Sequence, residues 1–80
     1  MTNKYISNKI KEVRMKAGGT QAQLAQELGL SSTNRISRWE AGLAYPSVEN
    51  LAQIANYDKV TPHDLYPDLF DNESNKLSLQ

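Results

Sequence analysis

The chain contains no cysteine, a single histidine and a single tryptophan. Without cysteine there is no disulfide, no thiolate metal site and no thiol nucleophile. One histidine with no second ligand makes a poor metal site, so His63 reads as a first-turn surface residue. No nucleophile stands at a useful spacing from a base, which argues against an enzyme. No apolar run approaches the roughly 18 residues that a membrane span needs. The stretch Met1-Thr2-Asn3-Lys4-Tyr5 lacks a secretory apolar region, so the expected location is cytoplasmic, with no membrane partner. An excess of either charge is also missing: nine basic residues face nine acidic ones. What is present is 80 residues with 39% hydrophobic content, enough for the core of one small domain. A chain of this size without a staple must gain its stability from compact helix packing.

The charge balance conceals a segregation. Residues 1–45 hold seven basic side chains against three acidic ones, Glu12, Glu27 and Glu40. Residues 46–80 hold Lys59 and Lys76 against six acids, so the halves carry +4 and −4. An anionic partner would be steered to the first half. Asp64, Asp68, Asp71 and Glu73 lack the alternating oxygen ligands and glycine of a calcium loop, and read as a solvated acidic end. Neither a metal nor a cofactor is expected.

Along the chain, Ile6, Ile10 and Val13 form an i, i+4, i+7 stripe that predicts an amphipathic helix over 6–16, stopped by Gly18-Gly19. Thr20 stands three residues before Gln23, a capping-box pattern opening a second helix with Leu24 and Leu28 inward. Gly29 closes that helix. Ser31 and Ser32 are candidate caps of a third helix, with Ile36 and Trp39 inward and Gly42 at its end. Ser47 caps a fourth, with Val48, Leu51, Ile54 and Ala55 inward. Thr61-Pro62-His63-Asp64 opens a very short fifth, limited by Pro67. No strand pattern occurs in the first 70 residues.

Helices two and three carry the functional signal. Ala25, four residues before Gly29, is small enough for the next helix to cross closely, and Ile36 and Trp39 pin that helix to the core. This is helix-turn-helix geometry, with the second helix presented outward. The segment Thr20-Gln21-Ala22-Gln23-Leu24-Ala25-Gln26-Glu27-Leu28-Gly29, with Ile36-Ser37-Arg38-Trp39-Glu40-Ala41-Gly42 and Pro46-Ser47, resembles the Cro and phage-repressor (XRE) helix-turn-helix family over about residues 6–66. The stretch from Val60 to Leu69 also resembles the end of small Cro-like and YdaS-like regulators.

The resemblance implies roles for particular residues. Gln21 would contact the DNA backbone and buttress the first base-reading residue. Thr33, Asn34, Ser37 and Arg38 match base-facing positions, and Ser32, Arg35 and Tyr45 complete the DNA-binding set. Asn can pair with adenine, Arg with guanine, and a Thr methyl can meet a thymine methyl. Tyr45 either reaches a phosphate or closes its loop. Arg14 and Glu40 match a structural ion pair tying helix one to the end of helix three.

Three departures stand out. Gly29 to Ile36 is seven positions, against a usual six, so one extra residue lies in the turn or at the start of helix three. The loop Leu43-Ala44-Tyr45 is uncharged where relatives are often basic, which should flatten salt dependence. Asn56 to Val60 looks one residue longer than the usual link.

The reading is an all-α, five-helix, lambda-repressor-like helix-turn-helix domain over residues 1–70, with a flexible polar tail over 71–80. It implies sequence-specific duplex DNA binding and transcriptional regulation of a phage-repressor type. The recognition helix would span roughly Ser32 to Ala41. A homodimer on a pseudo-palindromic operator is implied, with Leu65, Tyr66, Leu69 and Phe70 as the candidate dimer surface. Two alternatives stay open: an antitoxin whose acidic half neutralises a basic toxin, and a protein-interaction module on the same scaffold.

Overall fold

Thr20, Ser47 and Thr61 each accept a hydrogen bond from the backbone N–H three residues on, at 3.1–3.2 Å, and a helix starts after each of them. These hydroxyls satisfy donors that the first helical turn leaves without a partner. At Thr20 and Thr61 the bond is reciprocated by the side chains of Gln23 and Asp64, completing two capping boxes. The computed structural model describes residues 5–69, all helix and connecting loop, with no strand among them. The order is α1 (Ile10–Lys16), α2 (Gln21–Leu28), α3 (Asn34–Glu40), α4 (Val48–Asp58) and α5 (Pro62–Leu65). Residues 67–69 form a further helical turn, so the chain goes one turn beyond five helices, and Pro67 opens it as well as ending α5. The expected tail over 71–80 lies outside the described residues.

Each helix sends one side chain to complete burial: Ile10, Leu24, Ile36, Ile54 and Leu65 are all 0% exposed. Trp39, Tyr66, Ala25, Ala55 and Leu28 fill in around them. Burying one such aliphatic side chain is worth about 1.5–3 kcal/mol. No helix among the described residues is long and apolar enough to cross a membrane.

Four boundaries and placements differ from the sequence expectation. The first helix does not begin at residue 6. Asn8 uses its Oδ1 to accept from the Ile10 N–H at 3.1 Å, the kind of side-chain bond that competes with helix. Its Nδ2 donates to the carbonyls of Ile6 and Trp39, each at 3.0 Å. Residues 5–9 thus cross the end of α3 as a strap, with the Ile6 N–H bound to the Gly42 carbonyl at 2.8 Å. Gly42 is required there. Its φ is +80°, and a Cβ would lie 2.6 Å from the Ile6 carbonyl oxygen.

The third helix is shorter than Ser32 to Ala41. It starts at Asn34, and residues 31–33 are bends, so the extra residue lies in the turn. Val48, expected inward, is 85% exposed, because the first position of α4 projects beyond the core. The link after residue 56 is no longer loop: α4 continues through Asp58. Lys59 then takes a left-handed φ of 59°, and the Val60 N–H bonds back to the Ala55 carbonyl at 2.8 Å.

The candidate dimer surface is also corrected. Leu65 and Tyr66 are 0% and 1% exposed, committed to the core of this chain. Leu69 remains exposed, and Phe70 lies outside the described residues.

Candidate nucleic-acid interface

The end of α1, the start of α2 and the end of α3 meet at one buried carboxylate. Glu40 accepts from Arg14 Nε at 2.7 Å and from Arg14 Nη2 at 3.2 Å, a two-pronged pair. Arg14 Nη1 donates to the Gly19 carbonyl at 2.9 Å. The two side chains are 9% and 5% exposed, so water screens the pair little. Gln21 Nε2 donates to Glu40 Oε1 at 2.9 Å. The amide nitrogen of Gln21 thus bonds within the protein, while the residue itself stays half-exposed. Gln21 sits at the start of α2, and the bond fixes that start relative to α3.

Leu24, Ala25 and Leu28 are buried on α2, and Gly29 ends the helix with a left-handed φ of 74°. The Leu30 N–H then bonds to the Ala25 carbonyl at 2.9 Å. From this anchored point the chain bends through Ser31, Ser32 and Thr33. Ser32 Oγ accepts from the Asn34 N–H at 3.3 Å, so Ser32 supplies the side-chain cap while Thr33 occupies the boundary position without one.

Seating α3 on Ile36 and Trp39 decides what it shows to solvent. Asn34, Arg35, Ser37 and Arg38 are all exposed, and Thr33 is half-buried. Asn34 and Arg38 are four residues apart, and Arg35 and Arg38 are three apart, so these side chains share neighbouring positions on one surface. Neither arginine has a carboxylate or hydrogen-bond partner among the described residues. Two unpaired guanidiniums beside an amide and hydroxyls make a surface able to donate to phosphate and to purine edges.

The structure adds a wall to this surface. Arg35, Arg38 and Trp39 line one side of a shallow depression whose other side is Ala44, Tyr45 and Ser47. A second depression, lined by Gly29, Leu30, Ser31, Ser32 and Arg35, flanks the turn. Tyr45 is 54% exposed, yet its ring rests on Tyr66 at 5.5 Å between centroids with a 45° tilt. Burial, with Tyr45 as the lesser cause, pushes the Tyr66 phenol up to about 12. It stays neutral, a fixed floor under the loop. The loop is thus held by ring packing, with Tyr45 still more than half exposed beside the depression.

Ser32, Thr33, Asn34, Arg35, Ser37, Arg38 and Tyr45 are brought into one region by the turn, α3 and the following loop. Gln21, Arg14 and Glu40 form the network beneath it. The strap escaped sequence reasoning: Asn8 bonds to the Trp39 carbonyl, 31 residues away, and no local pattern encodes that bond. Its one local sign is an asparagine two residues before Ile10, a helix-stop element inside an otherwise continuous apolar stripe.

Comparison with known proteins agrees with this geometry. A helix-turn-helix family matches residues 10–65. The chain is 39% identical over 60 residues to the HTH-type transcriptional activator BcrR of Enterococcus faecalis, covering 75% of this chain but 29% of that protein. It is 31% identical over 75 residues to the cryptic phage CTXphi transcriptional repressor RstR of Vibrio cholerae, covering 94% of this chain and 66% of the repressor. The chain therefore spans less than a third of the activator and just under two thirds of the repressor. Among solved structures, a candidate DNA-binding protein from Bacteroides fragilis superposes with a TM-score of 0.66 at 36% identity, over 72% of this chain and 92% of that one. With an anchored α2, an α3 presented outward and a family match that includes both, the chain belongs to the XRE-type helix-turn-helix family.

Proposed function

We propose that the chain binds duplex DNA sequence-specifically and regulates transcription, with α3 lying in a major groove. The observation that carries this is the exposed set Asn34, Arg35, Ser37 and Arg38, whose side chains have no partner among the described residues, on a helix whose opposite face is clamped by Ile36 and Trp39. Its relatives by sequence, a transcriptional activator and a phage transcriptional repressor, support the same reading. Arg38 and Asn34 would read base edges, Arg to guanine and Asn to adenine. Thr33 and Ser37 would adjust the fit, and Arg35, Ser32 and Tyr45 would contact phosphates at the rim. Gln21, half-exposed at the start of α2 and held by its bond to Glu40, would contact the DNA backbone and buttress the first base-reading residue. Regulation follows from occupancy: a protein seated on an operator excludes or contacts polymerase without chemistry of its own. Two copies on a pseudo-palindrome, with half-sites about one helical turn apart, complete the proposal.

Selection of bound duplexes from a random pool, at a stated salt concentration, tests all parts together. Enrichment of a sequence repeated in inverted orientation about 10 base pairs apart is the expected result. A pool that stays random after several rounds rejects sequence-specific binding, and a single unrepeated motif rejects the dimer.

A further inference from the structure

Arg35 and Arg38 put two exposed guanidiniums on the depression they share with Ala44 and Tyr45, and neither meets a carboxylate among the described residues. The depression measures about 260 Å³, and Trp39, Ala44 and Tyr45 give it an apolar lining. An occupant that satisfies both features combines apolar bulk with negative charge.

The wall of this depression also touches the end of the described chain. Tyr45 rests on Tyr66 at 5.5 Å between ring centroids, so the backbone passes residue 66 close to the depression. Residues 67–69 form a helical turn, an advance of about 4–5 Å. The four residues from Leu69 to Glu73 add a reach of at most about 14 Å. This stretch carries the complementary chemistry. Phe70 supplies an aromatic ring, and Asp68, Asp71 and Glu73 supply three acids with no base before Lys76. Asp68 is exposed on the last described turn. The spacing also matches. Residues two apart in extended chain, as Asp71 and Glu73 would be, lie on one side about 6–7 Å from each other. Helix residues three apart, as Arg35 and Arg38 are, have Cβ atoms about 5–6 Å apart.

We propose that residues 70–73 dock on this depression, with Phe70 over Ala44 and Tyr45 and with Asp71 and Glu73 against the guanidiniums of Arg35 and Arg38. The docking would regulate the surface assigned to DNA, and its consequence rests on that reading: carboxylate and phosphate compete for the same guanidiniums. Single surface ion pairs are weak. Tethering compensates, because it holds the segment at a roughly millimolar effective concentration. The docked fraction then raises the apparent Kd for every duplex by one common factor.

The test exploits the lack of cysteine in the chain. A nitroxide attached through Ser74→Cys reports by NMR where the segment lies in the full, isotope-labelled chain. The expected result is amide broadening at Arg35, Arg38, Ala44 and Tyr45 that exceeds the broadening on α1. Asp71→Asn/Glu73→Gln in the same labelled chain should reduce it several-fold, as should concentrated sodium chloride. A duplex of random sequence added at low salt should release the segment. Broadening that spares α3, or that the charge variant retains, overturns the proposal. Broadening seen only between a nitroxide-bearing copy and a separate isotope-labelled copy makes a second chain the occupant and overturns it too. A duplex that binds without releasing the segment overturns the competition. Broadening on this surface in a chain that no duplex binds supports the docking and counts against the DNA reading instead.

Discussion

Replacing Glu40 with alanine removes the acceptor on which three elements converge. Arg14 loses both prongs at 2.7 and 3.2 Å, and Gln21 loses its 2.9 Å bond. Arg14 would keep the Gly19 carbonyl as its one hydrogen-bond partner among the described residues, with the Asp58 charge acting on it without a bond, and its side chain is 9% exposed. A charge left buried by one-sided removal of its partner costs about 3–5 kcal/mol. An 80-residue domain has a total stability of about 4–12 kcal/mol. The substitution thus takes a large share, and each 1 kcal/mol lowers Tm by about 4–8 °C in a domain this size. Thermal unfolding followed by helix circular dichroism and by Trp39 fluorescence should show a drop of more than about 12 °C. The double variant Arg14→Met/Glu40→Leu should be less damaged than Glu40→Ala, since it leaves no orphaned charge. A loss under about 1 kcal/mol, or a double-mutant cycle without coupling between the two positions, refutes the reasoning.

Further outcomes follow from other observations. Arg38→Ala should cost about 1–3 kcal/mol in operator affinity and relax sequence preference, while fold stability stays unchanged by melting; equal binding of operator and random duplex before and after would remove Arg38 from readout. Arg35 is the one guanidinium of α3 assigned to phosphate, with Arg38 on a base edge, so log affinity against log salt should slope by about −1 per protomer, which titrations at several salt concentrations measure. Gly42→Ala should destabilise more than Gly29→Ala. Both positions have positive φ, but a Cβ at 42 meets Ile6 backbone at 2.6 and 2.8 Å, whereas one at 29 meets nothing within 4 Å. Denaturant melts giving the reverse order would contradict the strap. Burial, offset by Arg14, raises the Asp58 pKa above 3.8. The native state thus holds that proton more tightly than the unfolded chain, so this contribution favours folding below pH 3.8 and fades as pH rises through the native value. Asp58→Asn should flatten that part of the stability profile, and an unchanged pH profile by urea titration would dismiss it.

Much of the fold was legible in local chemistry. Thr20, Ser47 and Thr61 cap helices because their hydroxyls reach a backbone N–H three residues on, a relation within one turn of chain. Gly29 ends α2 because a left-handed residue is needed there. Ile36 and Trp39 point inward because their three-residue spacing places them on one side of the helix. Where expectation and structure differ, a distant group is responsible. Ile6 fits the apolar stripe of α1, but Asn8 bonds to Trp39 across the molecule and leaves Ile6 in a strap. Val48 fits the stripe of α4, but no neighbour reaches its first position. Leu65 and Tyr66 look like a free apolar edge, but they close the core.

Sequence by itself determined the helices, the inward side of each and the pair of helices that forms the turn motif, because caps, glycine stops and apolar spacing act over a few residues. It also determined that basic residues gather in the first half, so that zero net charge does not exclude an anionic partner. Tertiary structure decided the rest. It bonded the half-exposed Gln21 to Glu40, put the extra residue into the turn at 31–33 and left the Asp58 carboxylate buried without a hydrogen bond among the described residues. Each of these depends on which groups meet across the core, and that meeting is set by the packing of α1 to α5 together.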